Sequence, residues 1–193
     1  MTSAAADPAD PARKVVANFF ISLDGVVESP EKWHFAYFND EMGEAVNAGF
    51  ASSDALLMGG TLYREWSEYW PTSTDQPIAD IMNGIAKYVV SDRLDRADWS
   101  NTTLIRGDGA ADRIRVLKAR PGKDIAMSGS ATLVRWLLGQ GLVDELHLLV
   151  HPVVVGTGRR LFEPDTPQQA LELVSAQTFS TGVLHLTYQP VRA

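Results

Sequence analysis

The stretch KDIAMSGSATLVRWLLGQGLVDELHLLVHPVVVGTGRRLFE, residues 123–163, decides the fold. It predicts, in order, a strand, a glycine turn, a helix, a second glycine turn and a second strand. A strand that turns through glycine into a helix gathers backbone N–H groups and a helix N-terminus at one point, and this arrangement suits a phosphate group. The stretch therefore favours a nucleotide-dependent enzyme.

The bulk properties are those of one cytoplasmic domain. The chain has 193 residues, of which 45% are hydrophobic and none is cysteine, and its formal net charge is -7. Without cysteine there is no disulfide, zinc ribbon or thiol nucleophile, and the acidic balance argues against a nucleic-acid partner. No apolar run has the length of a membrane span, and the N-terminal stretch lacks the apolar core of a signal peptide. We expect a flexible tail over residues 1–12 and a single domain over residues 13–193.

Strands and helices alternate along most of the chain. The alternation predicts a mainly parallel sheet covered on both faces, and the last two strands, with no helix between them, predict an antiparallel edge. We therefore predict an α/β fold with three layers, α/β/α. The predicted strands are 14–23, 55–58, 87–90, 102–105, 125–127, 145–155 (interrupted at Pro152), 171–178 and 183–189, and the predicted helices are 39–51 (N-capped by Asn39), one after Gly60, 78–85, 110–119 and 131–138.

Two segments have the order strand, glycine, helix: LLMGGTLYREW at 56–66 and IAMSGSATLVRWL at 125–137. In a parallel sheet both turns lie at the carboxyl edge, where ligands bind. Thr61, Ser128 and Ser130 add hydroxyl donors there. Neither segment is a G-x-G-x-x-G motif or a Walker loop, so a standard Rossmann or P-loop enzyme is disfavoured. The alternative, that the glycines only shape tight turns, stays open.

Two further strand ends carry polar side chains. Ser91 and Arg93 follow the strand 87–90 and could hold a ribose phosphate, or form a solvated turn. Asp24 follows the first strand, beside Gly25. A partly desolvated carboxylate there would have a raised pKa and could donate a proton, although Asp-Gly is also a common turn.

Aromatic and histidine side chains are less specific. The aromatic residues from Trp33 to Phe38 could wall a planar ligand, cap the core or form a dimer contact. His147 and His151 share one face of a strand but are too far apart to hold one metal ion easily. We therefore expect no metal site and histidines with satisfied hydrogen bonds. Arg159 and Arg160 could reach a phosphate or be solvated.

Four motifs in this order resemble a known family: SLDGVV at 22–27, LLMGG at 56–60 with Tyr63, VVSDRL at 89–94, and SGSATLV with GLVDELHLLVHPVVVGTGRRLF between 128 and 162. They resemble the reductase domain of the bacterial bifunctional riboflavin deaminase-reductase, which is similar in fold to dihydrofolate reductase. The resemblance implies a homodimeric, NADPH-dependent reductase. It also implies the substrate 5-amino-6-(5-phosphoribosylamino)uracil, whose ribosyl unit is reduced by hydride.

The resemblance also implies roles for individual residues. Asp24 and Gly25 would border the nicotinamide and the substrate. From the residues themselves, Asp24 is the candidate proton donor, and Trp33 and Phe38 are candidates for contact with the substrate. By the resemblance, Gly59, Gly60 and Thr61 would lie near the adenosine half, Ser91 near its ribose phosphate, and Gly129, Ser130 and Ala131 around the pyrophosphate. The further candidates for cofactor binding, from the residues alone, are Arg93, Ser128 and Thr132.

Three positions depart from the family pattern. Gly60 stands where arginine is frequent, Leu62 where threonine is frequent, and Ser128 where the pathway enzymes tend to have glutamate. Both NADPH and NADH therefore remain candidate cofactors. Three hypotheses remain: a reductase acting on a small polar or heterocyclic substrate, a pterin reductase that uses Asp24 or Glu28 as its acid, and a non-catalytic nucleotide-binding dimeric scaffold.

Overall fold

The computed structural model describes residues 13–191 and has the predicted alternation of strands and helices. Three short 3₁₀ turns, at Pro30–Lys32, Phe35–Tyr37 and Trp70–Thr72, have no signal in the hydrophobic periodicity. The strands are β1 Val15–Ser22, β2 Ser53–Gly59, β3 Ala86–Val90, β4 Thr102–Ile105, β5 Asp124–Met127, β6 Glu145–His151, β7 Leu171–Thr178 and β8 Leu184–Pro190, and the helices are α1 Asp40–Ala51, α2 Gly60–Tyr69, α3 Ile78–Gly84, α4 Ala110–Lys118 and α5 Ala131–Gly139.

All eight strands belong to one sheet in the order β4-β3-β2-β5-β1-β6-β8-β7. The six strands from β4 to β6 are parallel, while β8 pairs antiparallel with both β6 and β7. The predicted parallel sheet with an antiparallel C-terminal edge is therefore confirmed. Among residues 13–191, no helix is both long and apolar enough to cross a membrane.

Helices cover the central strands on both faces. On one face Ile114 of α4 and Val134 of α5 pack on the buried side chains of β1, β5 and β6. On the other face Met42 of α1 packs near Leu149 of β6, and Tyr63 of α2 packs on β2. Burying one such side chain contributes about 1.5–3 kcal/mol, so these two layers hold the strand ends in fixed positions.

Local chemistry sets two boundaries that matter for the site. Asn39 caps α1 as predicted, because its Oδ1 accepts a hydrogen bond from the Met42 N–H at 3.1 Å. The predicted strand 145–155 was too long, since β6 ends at His151. Pro152 follows at once, and proline has no N–H to continue the ladder.

The central strand β1 extends beyond its neighbour β5. It pairs with β5 only from Val15 to Ala17, whereas its pairing with β6 continues to Ser22, opposite His151. Residues 18–22 therefore have no strand beside them on the β5 side. We call this unpaired side of β1, beyond the carboxyl end of β5, the cleft between β5 and β1; it lies at the edge where α/β sheets bind ligands.

Lys87, at the start of β3, is completely buried and has a structural role. Its Nζ donates to the carbonyl oxygens of Asn83, Ile85 and Ser100 at 3.2, 2.8 and 3.0 Å, and lies 4.3 Å from the ring centroid of Trp99. Burial lowers the pKa of Lys87 to about 8. The ammonium group thus satisfies two carbonyls at the end of α3, those of Asn83 and Ile85, and joins them to the carbonyl of Ser100 before β4.

Candidate functional site

The two predicted glycine turns touch each other at the carboxyl edge. β2 and β5 are neighbours in the sheet, so the turn at Gly59 lies beside the turn at Ser130. A Cβ atom at residue 59 would overlap the Ser130 hydroxyl. The prediction that both turns lie at one edge is therefore confirmed, and glycine at position 59 is required by this close approach. The peptide between Gly129 and Ser130 is cis.

Each of these turns leads into a helix whose N-terminus has no side-chain cap. Neither Gly59, before α2, nor Ser130, before α5, makes a capping hydrogen bond, in contrast to Asn39 before α1. The N–H groups of a first helical turn have no partner within the helix. Two sets of such donors therefore meet at one point, with the positive ends of two helix dipoles, and this arrangement suits an anion.

Ser91, at the end of β3, lies next to this point. A Cβ atom at Gly60 would come within 2.6 Å of the Ser91 Oγ, so the space that a side chain at residue 60 would need is taken by Ser91. The Ser91 hydroxyl also accepts a hydrogen bond from the Arg93 N–H at 3.2 Å. Residues 59–61, Ser91 and residues 128–132, predicted separately to bind the cofactor, thus lie at three neighbouring strand ends.

The charges beside Ser91 favour an anion there. The Asp92 carboxylate is turned away and accepts a hydrogen bond from the Gly107 N–H at 2.6 Å. The guanidinium of Arg106 is engaged with backbone carbonyl oxygens. Arg93 is exposed, and within residues 13–191 its guanidinium makes no hydrogen bond or ion pair. It is therefore the cation at this strand end that remains available for a ligand.

Asp24 has a different environment from the one predicted. The Val155 N–H and the Ser22 hydroxyl donate to its Oδ1 at 3.0 and 2.7 Å, and the Gly156 N–H donates to its Oδ2 at 2.9 Å. These donors, that of Val155 foremost, hold the pKa of Asp24 well below its usual range. The predicted raised pKa is wrong. Asp24 is ionised at neutral pH and anchors the loop that follows β6.

The two arginines of the GTGRRLF motif are engaged at the same turn. Glu28 accepts from the Arg159 N–H at 2.8 Å and from its Nη2 at 3.0 Å, while Arg160 Nε donates to the Asp24 carbonyl at 2.8 Å. The Gly25 carbonyl accepts from the Leu161 N–H at 3.0 Å. Arg159 and Arg160 therefore join the exit of β1 to the segment after β6, rather than facing a phosphate.

The segment after β1, residues 28–39, which we call the strap, folds back onto the sheet. The Trp33 ring meets His151 edge-on at 5.2 Å, and its Nε1 donates to the Glu28 carbonyl at 3.2 Å. The His34 ring stacks on Phe20 at 4.5 Å, whereas Phe38 remains 46% exposed. Trp33 and Tyr37 thus pack on the sheet, as one of the predicted alternatives has it, whereas Phe35 and Phe38 remain exposed, and the ligand-wall and dimer-contact alternatives stay predictions. The role of Trp33 and Phe38 towards a substrate stays a prediction.

The histidines belong to no group of three or more potential metal ligands in the described part of the chain. His147 pairs with Glu145 at 3.0 Å, as a satisfied sheet histidine should. His151 does not fit that prediction, because its Nε2 is buried without a partner. His34 and Phe20 were not predicted to belong to a site. The clustering of Trp33, His34 and Phe35 is the sequence signal that could have indicated them.

The predicted residues thus form two groups at neighbouring strand ends. The cofactor group lies at the ends of β2, β3 and β5, and the group of Asp24, Gly25, Trp33 and Phe38 lies at and beyond the end of β1. The cleft between β5 and β1 separates them. A ligand that bound across both groups would lie along the carboxyl edge of the sheet.

Known proteins resemble this chain along nearly its whole length. An uncharacterised protein of Bacillus subtilis, YyaP, is 30% identical over 183 residues, which cover 91% of this chain and 94% of that protein. A structure assigned to riboflavin biosynthesis, from Shewanella sp. PV-4, has a TM-score of 0.75 at 18% identity and covers 93% of this chain and 99% of its own.

The fold also extends to pterin enzymes. A dihydrofolate reductase of Enterococcus faecalis in complex with NADP(H) has a TM-score of 0.61 at 11% identity, covering 92% of this chain and 96% of its own. This likeness shows the dihydrofolate reductase-like fold. The family described as the RibD C-terminal domain matches residues 13–185. The protein therefore belongs to the RibD C-terminal domain family, a family of reductase-like domains.

Proposed function

We propose that the protein is a cytoplasmic, homodimeric reductase that transfers hydride from NADPH to a small polar or heterocyclic substrate. The substrate would resemble 5-amino-6-(5-phosphoribosylamino)uracil. The observation that carries the proposal is the contact between Gly59 and Ser130, where two uncapped helix N-termini meet. Membership of a family of reductase-like domains also supports the proposal that the protein is a reductase.

The residues at this edge fit a dinucleotide. Its pyrophosphate would lie against the first turns of α2 and α5, where Gly59 and Gly129 keep the backbone bare and Thr61 and Thr132 are exposed. A Cβ at residue 59 would fill the space between the turns. Ser91 and Arg93, next to this point, would hold the phosphate on the adenosine ribose.

The nicotinamide end would enter the cleft between β5 and β1. Residues 18–22 of β1 have no strand on that side, so their backbone groups could align a planar carboxamide by hydrogen bonds. When bound, the reduced nicotinamide supplies the hydride. The protein contributes mainly orientation, by fixing the ring against a substrate at the end of β1.

Asp24 suits a positioning role better than proton donation. It is ionised and held by Ser22, Val155 and Gly156, and so it fixes the loop after β6 beside the substrate position. Glu28, the other acid considered for a pterin, is paired with Arg159. Because neither carboxylate is available to a pterin ring, this chain favours a different substrate over a pterin.

Fluorescence titration of the tryptophans with NADPH and NADH tests the proposal. Thr61→Glu and Thr132→Glu each place a carboxylate at an exposed first-turn position, and each should weaken binding at least about tenfold by repelling the pyrophosphate. Thr74→Glu makes the same charge change at an exposed position in a loop away from the edge and should leave the Kd unchanged. Absence of nicotinamide binding at sub-millimolar concentration would refute both the reductase and the NADPH-binding scaffold.

A further inference from the structure

The strap closes over the carboxyl ends of β1 and β6 through a cluster of rings. His34 is stacked on Phe20 with ring centroids 4.5 Å apart, and the His151 ring meets Trp33 and Tyr37 edge-on at 5.2 and 5.8 Å. The two imidazoles lie perpendicular to each other at 6.1 Å. The packing is therefore shared between the strap and the sheet, with a histidine on each side.

Both histidines are buried with a ring nitrogen that has no hydrogen-bond partner. His151 is 0% exposed and His34 is 6% exposed, and the nitrogens concerned are His151 Nε2 and His34 Nδ1. His151 Nδ1 lies 2.7 Å from the Leu149 carbonyl oxygen, so it carries the proton and leaves Nε2 as a bare acceptor. A buried polar atom without a partner is unfavourable by about 1–3 kcal/mol. Packing of the rings must therefore outweigh this cost to keep the strap closed.

Protonation would change this balance sharply. Once protonated, either imidazole would be a buried cation packed mainly against aromatic rings, with no carboxylate within ion-pair distance among residues 13–191, and burying an unpaired charge is strongly unfavourable. Opening the strap would hydrate both imidazoles. We propose that the strap is a pH-sensitive cover, which opens when His34 or His151 takes up a proton.

The groups around His34 and His151 favour the neutral form of both imidazoles, which is the form in which the strap is closed. Burial is the largest effect and lowers the pKa of both histidines from 6.5. The nearby His151 lowers the pKa of His34 further, whereas the carbonyl groups of Leu149 and Ile21 act on the pKa of His151 in the opposite sense without reversing its direction. Glu31, on the strap, acts in the opposite sense on His34. The phenol of Tyr37 also lies against His151. The other neighbours of the pair are the rings of Phe20, Trp33, Phe35 and Phe38 and the backbone of β1 and β6. Closure is therefore complete above about pH 6.5 and weakens as the pH falls below that value.

The acidic side chains that hold the two ends of the strap are protonated in a different pH range from the histidines. Glu28 is paired with Arg159, and Glu41, just after the strap, accepts from the Ser180 N–H at 2.7 Å. Hydrogen bonds lower the pKa of both carboxyls from their usual 4.5. These carboxyls would take up protons, and so release the ends of the strap, only in more acidic conditions. Opening of the strap between pH 7.5 and 5.0 would therefore report on the histidines.

The consequence for the site follows from Phe20. This residue belongs to the part of β1 that borders the cleft, and His34 covers its ring. An open strap would uncover that wall, so entry to the cleft would depend on pH whatever ligand it takes. The strap would respond to pH whether or not the protein is a reductase.

Hydrogen exchange of the ligand-free protein tests the proposal. The quantity measured is the exchange rate of the amides of residues 28–39 relative to that of core amides, after correction for the intrinsic effect of pH. In the wild type this ratio should be at least about fivefold higher at pH 5.0 than at pH 7.5. A His34→Phe/His151→Phe double variant, which keeps two rings without titratable nitrogens, should show no such increase. His147→Gln changes a histidine outside the cluster and should behave as the wild type.

A full increase in the double variant, or none in the wild type, would overturn the proposal. Should the double variant fold poorly, NMR titration of the wild-type histidines decides the matter. His34 and His151 should titrate below 6.5, together with the shifts of strap amides, and titration with no change in those amides would refute it. Neither experiment uses a cofactor, so failure of nicotinamide binding leaves their outcome unaffected.

Discussion

Gly59 and Ser130, which end two different strand-to-helix connections, are so close that a Cβ atom on residue 59 would overlap the Ser130 hydroxyl. The contact exists because β2 and β5 are adjacent parallel strands whose carboxyl ends meet at one edge. It brings the N-termini of α2 and α5 together and so forms a point that suits an anion, on which the proposed function depends.

The first prediction concerns this contact. Gly59→Ala should lower the free energy of unfolding by about 1–3 kcal/mol, the usual cost of overpacking, because Ser130 must move. It should also weaken NADPH binding. Gly84→Ala is the matched control, since a Cβ there meets nothing within 4 Å, and its effect should stay within about 1 kcal/mol. Urea unfolding measures the stability of both variants, and equal stabilities would contradict the close approach of Gly59 and Ser130.

The second prediction concerns cofactor selectivity. Arg93→Gln should reduce any preference for NADPH over NADH about tenfold, because it removes the cation beside Ser91 that has no other partner in the described residues. NADH binding should change little. Arg96→Gln, which alters an exposed arginine already paired with Asp98, is the control. An unchanged NADPH preference in Arg93→Gln would show that another group reads the phosphate.

The third prediction concerns Asp24. Its folded-state pKa is depressed, so its ionised form stabilises the fold at neutral pH, and this contribution is lost as the pH falls below about 4 towards the folded pKa. Asp24→Asn should therefore be less stable than the wild type at pH 7 and should lose less stability on acidification. Urea midpoints at pH 7 and pH 3 measure this. A variant that kept wild-type stability but lost all turnover would instead restore Asp24 as a chemical participant.

The fourth prediction concerns Lys87. Burial lowers its pKa from 10.5 to about 8, so between these values the unfolded chain holds a proton that the folded chain has released. The free energy of unfolding should therefore gain a component that rises with pH from 8 to 10.5. Lys87→Met should lack that component, whereas Lys32→Met, at an exposed position, should retain it. Parallel stability curves for wild type and Lys87→Met would refute this.

The fifth prediction concerns assembly, and here we propose that β7 contacts a second copy of the chain. β7 is an edge strand with a single charged residue, Glu172, and its Leu173 and Val174 are 51% and 53% exposed. Such an edge readily pairs or packs with another chain. Leu173→Glu should shift a dimer to monomer in light scattering, while Val116→Glu on α4 should not. A monomeric wild type would contradict the proposal.

Local signals explain what the sequence predicted well. The cap at Asn39 and the strand β4 depend on neighbouring residues alone, and both agree with the structure. The environment of Asp24 depends on the N–H groups of Val155 and Gly156, more than 130 positions away, so its lowered pKa has no local signature. His34 and His151 likewise meet only through the fold, because the strap must first return to the end of β6.

Binding of NADPH at the meeting point of α2 and α5 is the central claim, and amide NMR tests it most directly. On titration of the ¹⁵N-labelled protein with NADPH, the largest shifts should fall on residues 60–61, 91–93 and 129–132, with further shifts in residues 18–22 along the cleft. Saturation without shifts at these positions, or shifts confined to another surface, would contradict the account.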